Sequence, residues 1–351
     1  MPTNDPARTA RALWWTRPFE ATLLEESLPE PGPGEVRVRT SFSAVSRGTE
    51  ALVAAGRVPA SERARMRCPH QAGSFPFPVK YGYAAVGVVE AGPQELLGRT
   101  VFCLHPHQTA FVVPAEAVLP VPEEVPADRA VLAANLETAL NALWDAPALP
   151  GMRILVLGAG VVGACAARLS AQLPGAEVTL VDRDPEVEPL ARALGCGFAR
   201  PDQAPGEQDL VIEATGRPEA LATALDAAGE EATVLVLSWY GAGAAPVPLG
   251  GAFHSRRLRL VSSQVGAVAP AMRPRWPHRR RLEKALELLA DPAFAALLDE
   301  IVPFEEAPSR LPDLLREPRR GCLRIGYGSW GDRHVQRAGA RSGDDRPQFQ
   351  R

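Results

Sequence analysis

The chain has 351 residues, 46% of them hydrophobic and 23% charged, with a formal net charge of −3. That length suits two domains rather than one, and so small a net charge argues against a nucleic-acid or membrane-surface partner. There is no run of apolar residues long enough to span a bilayer, and the opening MPTNDPARTARALWW lacks the apolar stretch of a secretory signal. Five cysteines, Cys68, Cys103, Cys165, Cys196 and Cys322, are scattered singly with no C-x-x-C spacing. Free thiols in a reducing, cytoplasmic setting are therefore expected.

The first stretch reads as β structure. ALWW and ATLLEES are short apolar or alternating runs, PEPGPGE is a turn, and EVRVRTSFSAV alternates with period two. YAAVGVVEAG, GRTVFCL and TAFVVPA continue the pattern, punctuated by Gly and Pro. Together they predict a small, irregular, barrel-like domain over residues 1–127. Near Pro126 the period changes. ADRAVLAANLETALNALWDA has helical spacing, with Asp128 as the expected N-cap. Strands are expected at Arg153–Leu157, Glu177–Val181, Asp209–Glu213, Thr233–Leu237 and Leu258–Ser262. Helices are expected between them at Gly160–Leu173, Pro185–Leu194 and Pro218–Ala228. Such alternation specifies a doubly wound parallel sheet, here residues 128–285, in an α/β protein. A helix at LEKALELLA follows Arg281, the segment 286–328 returns to the first domain and ends in a strand at CLRIGYG, and the polar tail 329–351 is expected to be disordered.

The sharpest motif is RILVLGAGVVG. Gly158, Gly160 and Gly163 form G-x-G-x-x-G between a strand and a helix, the context that makes the motif specific. Gly158 permits a tight turn, Gly160 lets a pyrophosphate approach, and Gly163 lets helix pack on strand. The helix N-terminus at Val161 and Val162 offers free N–H groups to phosphate. Asp182 ends the next strand, where a carboxylate accepts from a ribose 2′-OH and repels a 2′-phosphate. NAD is expected over NADP, although the adjacent Arg183 is of the kind that covers a 2′-phosphate.

The order of parts resembles the medium-chain dehydrogenase/reductase superfamily over about residues 10–328. It is most similar to the zinc-type alcohol dehydrogenase branch that includes the bacteriochlorophyllide dehydrogenases. The segments that carry the resemblance are PEPGPGEVRVRTSFSAVSRGTE, VKYGYAAVGVVEAG, GRTVF, ETALNAL, GAGVVG and FHSRRLRLVSSQVGA. It implies a GroES-like catalytic domain holding the substrate and a Rossmann domain holding nicotinamide. It also implies a homodimer paired through the last Rossmann strand. At the positions where zinc members carry ligands stand Arg47, Tyr83 and Ala134, and the four-cysteine lobe is absent. Zinc is not expected.

The resemblance also places the remaining site candidates. Thr49 matches the hydroxyl that bonds the substrate oxygen, Thr138 lies near the nicotinamide, and Thr215 and Ser238 border the cofactor. The proton donor is open among Tyr83, His105 and a water; Tyr83 would serve if Arg47 or Lys80 lowers its pKa. Glu50 is a further pocket-lining candidate. Glu137 is expected to pair with Arg47. Cys103, His105 and His107 share a strand period of two, which raises a relocated metal site as a weaker possibility. Trp239 and Tyr240 either wall the pocket or pack an interface. The basic run Arg273, Arg275, Arg279, Arg280 and Arg281 reads chiefly as a solvated face. The function implied is hydride transfer between NAD and a polar secondary alcohol or ketone, a small-molecule substrate, without catalytic zinc. A zinc-free enone or quinone reductase and an inactive nucleotide-binding sensor are the alternatives.

Overall fold

A computed structural model describes residues 8–317 and 320–328. The second half of the chain is built on a six-stranded, all-parallel sheet. Its spatial order is Gly197–Ala199, Glu177–Val181, Arg153–Leu157, Gln208–Glu213, Ala228–Val236, Arg259–Ser262. The strand order reverses between Arg153–Leu157 and Gln208–Glu213, and ligands bind outside the carboxyl ends of strands at such a switch point. These two central strands read as unbroken apolar runs because helices cover both faces. Ile154, Leu155, Val156, Val211 and Ile212 are all fully buried.

The first half forms two further sheets, one of four strands and one of seven that C-terminal strands complete. Glu35–Val45 is the spine of the larger one and pairs with Ala85–Ala91 and Ala110–Pro114. Thr100–Cys103 and Val118–Pro120 extend it. The chain returns to this sheet at its end: Cys322–Gly326 lies antiparallel to Glu35–Val45, with Leu323 opposite Val45 and Gly326 opposite Phe42. The strand that leads into the candidate site is thus held by the last described strand of the protein.

The structure departs from the sequence expectations in three places. The helix expected from Asp128 is two helices, Ala127–Ala130 and Ala133–Asp145, entered from Pro126. Asp128 does not cap; its carboxylate accepts from Arg324 Nη1 at 2.9 Å, a stronger, charge-assisted partner. An unanticipated helix spans Arg47–Ala54, with Glu50 in its first turn. Strands at Val118–Pro120, Gly197–Ala199 and Leu298–Pro303 were not anticipated either, two of them being too short to show a period. The tail 329–351 lies outside the described residues. Among the described residues no helix is long and apolar enough to cross a membrane.

Candidate active site

The glycine loop has the shape a dinucleotide requires. A Cβ on Gly163 would meet Gly158 O at 2.1 Å, so helix Val161–Ala171 touches the loop as only glycine permits. A Cβ on Gly160 would meet nothing within 4 Å. That open face lies at the helix N-cap, where glycine has no side chain to satisfy the first N–H groups. A pyrophosphate fits the space and the donors. Asp182 sits beside it: Oδ2 accepts from Ala159 N at 2.9 Å and Oδ1 from Asp184 N at 3.1 Å. Two bonds leave lone pairs for a ribose hydroxyl. Arg183 is exposed, whereas Asp184 is paired with Arg320 from the other half of the chain.

The next strand ends contribute more. Glu213 is fully buried and accepts from Thr215 N at 2.8 Å, Thr215 Oγ1 at 2.5 Å and Tyr240 Oη at 2.5 Å. Ser238 Oγ accepts from Gly216 N at 2.7 Å. Thr138 Oγ1 donates back along its own helix to Ala134 O at 2.9 Å. Glu213, which fixes both Thr215 and Tyr240, was not among the sequence candidates. A carboxylate two residues before a strand-end Thr-Gly was the available signal.

Tyr83 and Thr49 come together from different segments. The Tyr83 ring is partly buried and packs against two hydrophobic clusters, one within the first half and C-terminal return and one that runs on into the parallel-sheet half. The side chains of Ser46 and Thr49 lie near its hydroxyl and favour its ionised form. Burial pushes its pKa up to about 12, and those two neighbours only partly offset the rise. The expected lowering by Arg47 or Lys80 does not occur. Arg47 donates to the carbonyl of Glu317, and Lys80 Nζ is committed to Glu26 at 2.6 Å and Gln108 at 2.8 Å. Trp239 packs from the opposite half onto the cluster that contains Val53, Val58 and Tyr81.

Beneath Thr49 lies a buried polar chain. Read with Glu50 as carboxylate, His107 Nε2–H donates to Glu50 Oε2 at 2.9 Å. Ser43 Oγ–H then donates to His107 Nδ1 at 2.7 Å, and Tyr327 Oη–H to Ser43 Oγ at 2.9 Å. Ser46 N supplies Glu50 Oε1 at 2.8 Å. All four residues are at most 4% exposed, so each group must find a protein partner, and each does. A Cβ on Gly82 would meet His107 Nε2 at 2.9 Å, so the glycine before Tyr83 is required by the imidazole. The chain ties strand Glu35–Val45, the start of helix Arg47–Ala54, the Tyr83 turn and the C-terminal return into one unit.

Three sequence expectations are corrected here. Glu137 pairs with Arg281, not Arg47: Arg281 Nε donates to Glu137 Oε1 at 2.9 Å, with both side chains buried. Arg281 also leaves the solvated face proposed for the arginine run, being 1% exposed. Cys103, His105 and His107 do not converge, because the strand ends at Cys103 and its period lapses. His105 Nδ1–H donates to Pro106 O, and the ring stacks on Phe111 at 3.8 Å and on His70 at 5.3 Å. Burial lowers its pKa to about 3, so it is neutral and is not the acid. Burial likewise holds Cys68, Cys103 and Cys322 at about 12 and Cys196 at about 11, which makes them poor nucleophiles.

The zinc-ligand positions of the resembled superfamily hold a guanidinium, a protonated phenol and a methyl group at Arg47, Tyr83 and Ala134. None donates to zinc, so these residues do not fit the ion.

Known proteins resemble this chain. Residues 137–238, which contain the glycine loop, match the family described as alanine dehydrogenase/PNT, C-terminal domain. The probable zinc-binding alcohol dehydrogenase Rv1895 of Mycobacterium tuberculosis is 29% identical, over 79% of this chain and 82% of that protein. A thermostable alcohol dehydrogenase from Pyrobaculum aerophilum superposes with a TM-score of 0.72 at 22% identity, covering 91% of this chain and 100% of that one. The short chain alcohol dehydrogenase rspB of Escherichia coli CFT073, complexed with NADH, gives 0.71 at 17% identity, over 91% and 99%. A Sinorhizobium meliloti 1021 dehydrogenase bound to NADP gives 0.72 at 17%, over 91% and 99%. At such identities the likeness carries the fold.

Proposed function

The chain has the medium-chain dehydrogenase fold of the zinc-type alcohol dehydrogenases, and from that premise we propose an NAD-dependent alcohol dehydrogenase or ketone reductase. Its substrate is a polar secondary alcohol or ketone, and it works without catalytic zinc. The observation that carries the reading is Tyr83: a phenol stands at a metal-ligand position of the resembled family, stays protonated, and lies near the Thr49 side chain.

The bound nicotinamide supplies the hydride. The loop Gly158–Gly163 and the first turn at Val161 and Val162 hold the pyrophosphate, and Asp182 accepts from the ribose. Thr49 and Tyr83 grip the substrate oxygen. As that oxygen gains charge, Tyr83 releases its proton to it, because an alkoxide is a far stronger base than a phenolate, even one with this raised pKa. Trp239 closes the cleft and keeps water out.

The test is ketone reduction with and without a strong chelator, paired with NADH and NADPH titrations. Turnover unchanged by chelation, with NADH bound at least about tenfold tighter than NADPH, is the expected result. Asp182→Asn should shrink that cofactor gap to within a few-fold. Chelator-sensitive turnover would refute zinc independence. A preference for NADPH would favour an enone reductase, and cofactor binding without turnover would favour a sensor.

A cytoplasmic homodimer completes the proposal. The cysteines are free. Arg259–Ser262 is the sheet's edge, and Leu260 on it is 38% exposed. Such an edge needs cover. Light scattering should give twice the chain mass, and Leu260→Arg should give the monomer. A wild-type monomer would remove the dimer from the proposal.

A further inference from the structure

About one turn along helix Arg47–Ala54 from Thr49, a pocket of ≈ 470 Å3 lies between segments of the two halves. Leu52, Gly56, Arg57 and Val58 line one side, and the loop from Tyr240 to Gly243 lines the other. Tyr240 is fixed there by its bond to the buried Glu213. Arg57 is the one charged lining residue among those described, and its guanidinium has no hydrogen-bond or ion-pair partner among the described residues.

The position of Arg57 is set by the end of helix Arg47–Ala54. Gly56 adopts φ +67, Gly56 N donates to Val53 O at 2.9 Å, and Arg57 N donates to Leu52 O at 2.8 Å. These two bonds are the paired closure of a Schellman motif, which fixes the backbone of the residue after the glycine. A Cβ on Gly56 would meet Phe77 Cε2 at 2.7 Å, so the turn is also packed from behind. Thr49 and Leu52 are three residues apart on this helix and share a face. The helix therefore carries the Thr49 hydroxyl, and its closing turn carries the cation at the pocket.

We propose that this pocket is a subsite for the anionic end of the substrate, a carboxylate on an apolar spacer that pairs with Arg57. The proposal rests on the dehydrogenase reading and narrows its substrate class. The planar guanidinium matches a carboxylate with two parallel hydrogen bonds. Leu52 and Val58 beside it favour a spacer without polar groups. A single cation suits a singly charged carboxylate better than a phosphate dianion. The helix runs five residues on from Thr49 to Ala54, about 7.5 Å, and Arg57 follows the turn at Gly56. The carboxylate then lies about five to eight bonds from the reacting carbon.

The test compares 7-oxooctanoate with its methyl ester as ketone substrates for wild type, Arg57→Gln and Arg57→Lys. Wild type should show a KM for the acid at least about tenfold below that for the ester. Arg57→Gln should raise the KM of the acid alone, closing the gap, with kcat changed less than about twofold. Arg57→Lys should keep part of the gap. Equal KM values in wild type, or a change in Arg57→Gln that affects acid and ester alike, would overturn the subsite. Should neither ketone turn over, the dehydrogenase reading fails, and calorimetry of 7-oxooctanoate with the NADH-bound protein decides the subsite separately. Binding by wild type that Arg57→Gln abolishes supports it; no binding, or unchanged binding, overturns it.

Discussion

Replacing Arg281 with methionine is expected to destabilise the fold by about 3–5 kcal/mol. The guanidinium is 1% exposed and is spent entirely on the interior. It donates to Glu137 Oε1 at 2.9 Å, Asn141 Oδ1 at 2.5 Å, Val265 O at 2.6 Å and Ala267 O at 3.3 Å. It therefore clamps helix His278–Leu288 onto helix Ala133–Asp145 and onto the segment that follows the last parallel strand. Methionine fills the volume but leaves a buried carboxylate and two carbonyls without their donor, and the carboxylate is the costly one. Burial already raises the Glu137 pKa, with Arg281 the main opposing pull. In the variant that push loses its main opposition, and only His278 still opposes it. A folded-state pKa raised above the unfolded one gives stability at low pH that is lost as pH rises. The deficit of the variant should thus be larger at about pH 8 than at about pH 5. Adding Glu137→Leu should recover part of it, since a paired removal leaves no buried charge. Urea unfolding measures all three; an Arg281→Met midpoint equal to wild type would mean the pair contributes nothing.

What the sequence made legible was local. The glycine loop, Asp182 and the strand–helix alternation each sit within one continuous segment, and each stands where its spacing puts it. Pairings between distant segments were not legible. Ser43, Glu50, His107 and Tyr327 bond across up to 284 residues, and polar residues of this kind look the same in sequence whether exposed or buried with a partner. Arg281 sits in a run of arginines whose other members, such as Arg279 and Arg280, do face solvent. Only its contact with Glu137, 144 residues away in the sequence, distinguishes it. The period of Cys103, His105 and His107 misled for a different reason: alternation means a shared face only while the strand continues, and this one ends at its first member.

Tyr83→Phe is expected to lower kcat for ketone reduction by about 10²–10³-fold while leaving NADH affinity unchanged. The substitution removes one oxygen and keeps the ring, which meets Tyr81 edge-on at 6.0 Å. Loss of rate with intact folding would then report on the hydroxyl alone. The pH dependence supplies an independent check. Tyr83 titrates at about 12 and His105 at about 3. The acid form of Tyr83, the form that reduction needs, is therefore present until the pH rises toward that value. Reduction in wild type should be level from about pH 6 to about pH 9, with no limb from either residue. Thr49→Val tests the partner: it keeps the phenol but removes one grip on the substrate oxygen, so a smaller loss, about tenfold, is expected. The distinction matters because a water held by Thr49 would also give a level profile. Such a water predicts the reverse ranking, with Thr49→Val the more damaging change and Tyr83→Phe nearly silent. A Tyr83→Phe enzyme that turned over at the wild-type rate would move the proton from the phenol to that water.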